Sequence, residues 1–347
     1  MRLYDKILGG LIGAAAGDAM GAATEGRTYH QILSYFGHEV IDFEKPPMDT
    51  FGAGNVPGQV TDDFSLAFFI AKHIVNDNHG EVDEKVVQNA LIDWSEHAVF
   101  FDRFAGPTTR LAIKRYKGEK VERSGGVELV TRQATNGAAM KISPIGLLNA
   151  GNIDGAIRDA AKVTMVTHDN YLAVSGACAV AAAVSCAVQS NADFFDVLEA
   201  GYYGAAEGER IGKKIARDVA GPSVIRKMKL AVEIGLGDGT PHDKMIDIGE
   251  KIGTGLHISE AVPSAFGILA ANRGSAMETI IASVNVGYDT DTLATIAGGI
   301  AGALQGKDAF PTHFLSVLES ANHLEIEKLA QQITDIVHKK GEGLRYV

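Results

Sequence analysis

The chain has 347 residues, of which 46% are hydrophobic and 22% charged, with 40 glycines, 9 prolines and a formal net charge of −11. That length suffices for one large domain or two ordinary ones. The acidity argues against nucleic acid as the main partner and suits a protein that carries cations. The uncharged run 172–188 falls just short of the roughly 20 strongly apolar residues that span a bilayer, so it reads as a buried helix and no membrane partner is expected. Cys178 and Cys186 would stand about 12 Å apart along one helix, too far for a disulfide. They read as buried thiols in a reducing cytoplasm. Glycines and Asp18 interrupt the N-terminal apolar run, which fits poorly with a cleaved signal.

Apolar positions recur at helical spacing nearly throughout, and no long alternating strand pattern stands out. The first predicted helix covers 5–23, with Leu8, Leu11, Ile12, Ala15 and Ala19 facing inward. Gly9, Gly10, Gly13, Gly17 and Gly21 each cost about 1 kcal/mol of helix propensity relative to Ala, so another backbone or a ligand must approach closely. Glu25 falls in the loop that follows. Thr28 caps a short helix ending near Gly37, and a Pro- and Gly-broken loop then delivers Thr61-Asp62-Asp63 to a helix over 64–76.

The next helix covers 83–95, and Gly106-Pro107 opens one that stops near Gly118. Residues 118–137 read as an exposed excursion, and 136–146 as a surface loop entering a short helix. Helices are then predicted over 154–164, 168–189, 194–208, 223–234, 243–252, 259–272, 275–286, 292–304, 312–320 and 324–339. No repeat or Pro/Ser-rich linker divides the chain. The expectation is one compact all-α domain spanning 1–347.

Two stretches hold the chemistry. Asn285-Val286-Gly287-Tyr288-Asp289-Thr290-Asp291-Thr292 places two aspartates at the head of a helix, and Thr61-Asp62-Asp63 does the same elsewhere. Either pair alone is an ordinary N-cap, favoured by the helix dipole. Brought together, four carboxylates and two hydroxyls form an all-oxygen set suited to a hard divalent cation, which would remove their mutual repulsion. No Cys or His lies beside these aspartates, so magnesium or manganese is favoured over zinc.

Five separated segments, in order, resemble the ADP-ribosylglycohydrolase family, whose members include the glycohydrolase that reactivates ADP-ribosylated dinitrogenase reductase. They are Gly9 to Gly13 through Gly17-Asp18-Ala19-Met20-Gly21 and Glu25; Thr61-Asp62-Asp63; Asn136-Gly137-Ala138-Ala139-Met140 through Pro144-Ile145-Gly146; Thr167-His168; and Asn285 to Thr292. The resemblance implies an all-α fold with two Mg2+ (or Mn2+) ions in a cleft. Thr61, Asp62, Asp63, Asp289, Asp291 and Thr292 match metal-binding positions. Glu25, Asp63 and Asp291 are the implied catalytic residues, with Glu25 at the metal site as ligand or proton carrier. The Asn136–Gly146 loop resembles the one that wraps ribose and pyrophosphate, through Asn136, Gly137 and Met140, and His168 matches a ligand-binding histidine.

The implied reaction is hydrolysis of an N- or O-glycosidic bond at the anomeric carbon of an ADP-ribosyl group, carried by a protein or a small compound. Three departures bear on the substrate. Phe104 stands where relatives that cleave ADP-ribosyl-arginine carry an aspartate, with Asp102 the nearest acid. Tyr288 replaces a usual glycine, and Phe64 a usual Thr or Ser, so large side chains are expected to narrow the cleft. The alternatives are a glycohydrolase of nucleosides or other small ribosyl compounds, and a non-catalytic ADP-ribose-binding or structural relative. A helical metal-dependent phosphohydrolase is a further competing class.

Overall fold

The computed structural model describes residues 1–120 and 134–343 and is helical throughout, with only two isolated β-bridges among the described residues. The first six helices are α1 (Leu3–Gly21), α2 (Tyr29–Phe36), α3 (Asp62–Asn78), α4 (Glu84–Trp94), α5 (Ala98–Phe104) and α6 (Pro107–Tyr116). After the short turn at Asn136–Ala138 come α7 (Ser143–Leu148), α8 (Ile153–Thr167), α9 (Tyr171–Ala187), α10 (Phe194–Ile215) and α11 (Val224–Leu236). The chain continues through α12 (Pro241–Lys251), α13 (Ile258–Ala271), α14 (Ala276–Asn285), α15 (Thr290–Gln305), α16 (Phe314–Asn322) and α17 (Ile326–Gly343). They form a single all-α body.

The local signals act where the residue chemistry puts them. Thr28 accepts the Gln31 N–H while the Gln31 side chain returns to the Thr28 N–H, and Gly37 closes α2 in the left-handed region at φ 77°. This reciprocal cap satisfies two donors that a helix start leaves orphaned. Asp193 and Asp196 form the same reciprocal cap at α10, while Asp83 and Asn170 cap α4 and α9 by accepting backbone N–H groups alone. Helix α9 starts at Tyr171 rather than at 168, because Asn170 takes the cap and releases His168 to the loop. Helix α5, absent from the sequence reading, has no side-chain cap and only seven residues, so it carries little periodic signal. The expected excursion over 118–137 lies mostly outside the described residues.

The core is organised by α1, which packs chiefly against α15. A side chain at Gly13 would come within 2.1 Å of the Gly298 oxygen, one at Gly17 within 2.2 Å of the Ala294 oxygen, and one at Gly21 within 2.4 Å of the Asp291 Cα. The glycine spacing therefore lets two backbones touch along one face. This close crossing ends at Asp291, so packing in the core fixes the position of a carboxylate. Cys178 and Cys186 are buried and free, and no helix among the described residues is long and apolar enough to cross a membrane.

Candidate active site

Helix α3 begins at Asp62 because Thr61 caps it, its Oγ1 accepting the Asp63 N–H at 3.3 Å. A second carboxylate reaches the same turn from α1. Asp18 accepts the Thr61 N–H at 2.9 Å and the Phe64 N–H at 2.8 Å, and it is wholly buried. Asp18 lies within a sequence motif and has no role among the sequence expectations. A lone acid inside a glycine-rich apolar helix was the available signal, since a buried carboxylate requires donors. Asp63 is buried beside it, and its Oδ2 has no hydrogen-bond partner.

The second half of the site is built on a left-handed turn. Gly287 has φ 100° and Tyr288 φ 70°. The Tyr288 N–H donates to the Arg27 oxygen at 2.9 Å, and the Gly26 N–H donates back to the Tyr288 oxygen at 2.7 Å. A Cβ on Gly287 would stand 2.7 Å from the Arg27 oxygen, so glycine is required on both conformational and steric grounds. Thr254 completes the clamp by donating its hydroxyl to the Gly287 oxygen at 2.8 Å and accepting the Asp289 N–H at its carbonyl. These bonds tie the Glu25 loop to the Asp289 turn.

As a result, one oxygen each from Glu25, Asp289 and Asp291 lie within 4.8 Å of one another. The capping role open to these aspartates is not what the structure shows. Asp289 occupies the N-cap position of α15 but makes no side-chain cap bond. Its carboxylate instead accepts an N–H from the Asn136 amide and a bond from the Thr292 side chain. Asp291 accepts the Thr292 N–H at 2.9 Å.

Burial and like charge act together on this cluster. Burial, then Asp291 and Asp289, push Glu25 up to about 10. Burial and Asp291 push Asp62 up to about 7, with the Gly106 N–H opposing the shift. Asp18, Asp63 and Asp289 are held well above the usual carboxylate range, first by burial and then by Asp291. Burial also raises Asp291. The residues fit a divalent cation: the converging donors are all oxygen, one buried Asp63 oxygen is orphaned, and added positive charge would relieve every one of these shifts.

The 136–146 segment is mostly buried rather than the expected surface loop. Asn136 is held at both ends, its N–H donating to the Leu256 oxygen at 2.9 Å and its side chain to Asp289. Beneath it, Lys141 is 1% exposed and donates to the Gly137 oxygen at 2.8 Å and to Thr167 Oγ1 at 2.7 Å. Burial lowers Lys141 to about 7, against the pull of Asp62 and Asp63. Both ring nitrogens of His168 are engaged, Nδ1 with Thr167 Oγ1 at 2.7 Å and Nε2 with Thr135 Oγ1 at 3.0 Å. Burial and the neighbouring Lys141 hold His168 well below its ordinary value, so it is a neutral ring wedged under Gly137, whose Cβ would stand 3.1 Å from Nε2. Met140 is buried alongside.

The three departures end in different places. Phe64 is fully buried and packs near Phe68, so it belongs to the core and does not narrow the cleft as expected. Phe104 is half-buried under the Arg103 guanidinium at 4.6 Å, and Asp102 is exposed. Tyr288 is 57% exposed beside Asp289.

A family model described as ADP-ribosylglycohydrolase matches residues 1–343. The chain belongs to the ADP-ribosylglycohydrolase family. It is thereby a glycosidic-bond hydrolase. Among its relatives is the Escherichia coli protein YegU, described as uncharacterized, 29% identical over 333 residues that cover 94% of this chain and 95% of the relative. The ADP-ribosyl-[dinitrogen reductase] glycohydrolase of Rhodospirillum rubrum is 24% identical over 330 residues, covering 94% of each. A solved structure titled ADP-ribosylglycohydrolase-related protein complex superposes with a TM-score of 0.67 at 22% identity, covering 96% of this chain and 99% of the other, which supports the fold.

Proposed function

We propose that this ADP-ribosylglycohydrolase-family member hydrolyses an N- or O-glycosidic bond at the anomeric carbon of an ADP-ribosyl group, using two divalent cations, Mg2+ or Mn2+. Thr61, Asp62 and Asp63 would hold the cations from one side, and Asp289, Asp291 and Thr292 from the other. The observation that carries the reading is the convergence of Glu25, Asp289 and Asp291 within 4.8 Å, with the orphaned Asp63 oxygen in the same electrostatic cluster.

When bound, such ions orient ribose hydroxyls and lower the pKa of a water near the anomeric carbon. The chain's own residues do the rest. Glu25 stands on a loop tied to the Asp289 turn, where its carboxylate can take a proton from attacking water and return one to the leaving group. Asn136 holds Asp289 in one orientation. Gly137 and its neighbours present backbone to the ribose and pyrophosphate, while Lys141 and His168 brace that turn from below.

A second reading, hydrolysis of nucleosides or other small ribosyl compounds, draws on Tyr288, whose exposed ring stands next to Asp289 where relatives have glycine. The test supplies ADP-ribosyl-arginine protein, ADP-ribosyl-serine peptide, O-acetyl-ADP-ribose and a nucleoside panel with magnesium or manganese. Cation-dependent release of ADP-ribose from one of the first three supports the main reading, and turnover of nucleosides alone supports the second. Release of phosphate without cleavage of a ribosyl bond contradicts both.

A further inference from the structure

Thr61 is fixed at both of its peptide groups. Its N–H donates to Asp18 at 2.9 Å, and its carbonyl accepts the Ser65 hydroxyl at 2.6 Å. Its own Oγ1 accepts the Asp63 N–H at 3.3 Å, and a second lone pair remains on that oxygen. Thr61 and Ser65 are both buried, so these bonds, and not solvent, set the direction of Oγ1.

A helix serine often bonds back to the carbonyl one turn earlier. Ser65 differs because it has a second partner from another helix. The Trp94 Nε1–H donates to Ser65 Oγ at 3.0 Å. Trp94 is the chain's single tryptophan, fully buried at the last position of α4. A buried indole N–H needs an acceptor, and here that acceptor is a hydroxyl whose one hydrogen is given to Thr61. The three residues form a relay from α4 through Ser65 to the head of α3.

The same corner reaches the site at a second point. Asp93 accepts from His73 Nε2 of α3 at 3.0 Å, so the end of α4 is fastened to α3 twice. The Trp94 ring meets the Phe101 ring of α5 edge-on at 5.6 Å. Arg110 of α6 donates to the carbonyls of Phe101, Asp102 and Ala105, which closes the turn between α5 and α6. Gly106, in that turn, gives its N–H to Asp62. Neighbouring helices therefore hold Thr61 and Asp62 from outside the carboxylate cluster.

We propose that Ser65 is a positioning residue for the cation site: its hydroxyl, oriented by Trp94, holds the Thr61 carbonyl so that Thr61 Oγ1 keeps the direction a cation requires, and Trp94 senses occupancy through the same relay. That role rests on the proposed cation site for what Thr61 holds, and on the hydrogen bonds alone for what holds Thr61. Once Thr61 Oγ1 is drawn to a cation, the acceptor of the Ser65 hydroxyl moves with it. The indole N–H bond then changes, and Trp94 emission with it.

Three measurements on the full-length protein test this without turnover, with urea midpoints establishing that each variant is folded. Calorimetric titration should show Ser65→Ala losing about tenfold or more in Mn2+ affinity, as for a lost outer partner of a metal ligand, and Trp94→Phe losing less than about threefold. Trp94→Phe opens the larger packing defect but spares the hydroxyl, so a general packing effect would give the reverse order. A smaller loss in Ser65→Ala, or an equal loss in Trp94→Phe, overturns the proposal. Emission of Trp94 should shift when the parent is saturated with Mg2+, and the shift should vanish in Ser65→Ala at saturation. The parent alone decides this part: Mn2+ binding with no change of emission under saturating Mg2+ overturns the relay. In EDTA, hydrogen exchange of the 61–64 amides should quicken in Ser65→Ala, and unchanged exchange there would show that the hydroxyl does not hold Thr61. Quickened exchange in a protein that binds no Mn2+ even as the parent defeats the cation reading, while the hold of Ser65 on Thr61 stands.

Discussion

Asn136 and Asp289, separated by 153 positions in the chain, are joined by a hydrogen bond from the Asn136 amide to the Asp289 carboxylate. The bond connects the turn proposed to hold ribose and pyrophosphate to the turn proposed to hold the cations. Asn136→Ala leaves Asp289 without its orienting donor. A lost outer partner of a metal-binding carboxylate typically costs about 10–100-fold in metal affinity. Calorimetric titration of Mn2+ should show that loss, whereas Asn136→Gln or a surface control should lose less. Unchanged Mn2+ affinity in Asn136→Ala would separate the two turns.

Asp18 links core and site. Asp18→Ala leaves the Thr61 and Phe64 N–H groups buried without an acceptor, at about 1–3 kcal/mol for each unsatisfied group. Part of that loss is recovered because a raised, buried carboxyl is removed from beside Asp63 and Asp291. Urea unfolding in EDTA and in Mg2+ distinguishes the two effects. The expected result is a net loss of stability that is larger in Mg2+, since relief of repulsion is worth less once cations are bound. An Asp18→Ala protein as stable as the parent in Mg2+ would contradict the capping role.

The α1–α15 crossing makes a sharper structural prediction. Gly17→Ala drives a methyl into the Ala294 carbonyl at 2.2 Å, where backbone rather than a flexible side chain must move. Overpacking of this kind costs about 1–3 kcal/mol or more. Gly106→Ala, with nothing within 4 Å and φ −67°, should be nearly neutral. Chemical-denaturation midpoints of the two variants compare them directly, and equal midpoints would remove the close-packed crossing from the account.

The pH dependence follows from the carboxyl shifts. A carboxyl whose folded pKa lies above its unfolded value stabilises the fold below the unfolded value, about 4, and loses that contribution as pH rises through the folded one. Asp62 at about 7 and Glu25 at about 10 therefore make the metal-free protein lose stability across that interval. Lys141, lowered to about 7, works in the opposite sense above that pH, so the informative quantity is the shift caused by the cation. Saturating Mg2+ should raise Tm more at pH 8 than at pH 5, because protons compete for the same oxygens at the lower pH. An equal or larger shift at pH 5 would show that Mg2+ acts elsewhere.

Much of this was legible in the residues, and the gaps have physical causes. Helix starts at Thr28, Asp83 and Asp193 are local events, written in side chains that reach their own backbone. The glycine spacing of α1 announced a close backbone neighbour, and Gly298, Gly302 and Ala294 supply it. Pairing of the Glu25 loop with the Asp289 turn was not readable, because it runs through main-chain bonds that any residue can make. His168, expected to contact ligand, also meets threonines through both ring nitrogens under the loop, a contact that no spacing records. Phe64 drew attention as a departure beside Asp63, yet successive helix positions diverge, and its ring turns into the core.

The proposed role of the carboxylate cluster, a divalent-cation site for ribosyl-bond hydrolysis, turns on Asp291. The most direct measurement pairs cation content with turnover in Asp291→Asn, using ADP-ribose release from an ADP-ribosylated substrate cleaved by the parent protein. The expected variant folds, loses bound Mn2+, and slows by about 10²-fold or more, in line with removal of a group that stabilises transition-state charge. Full turnover and full Mn2+ content in Asp291→Asn would contradict it.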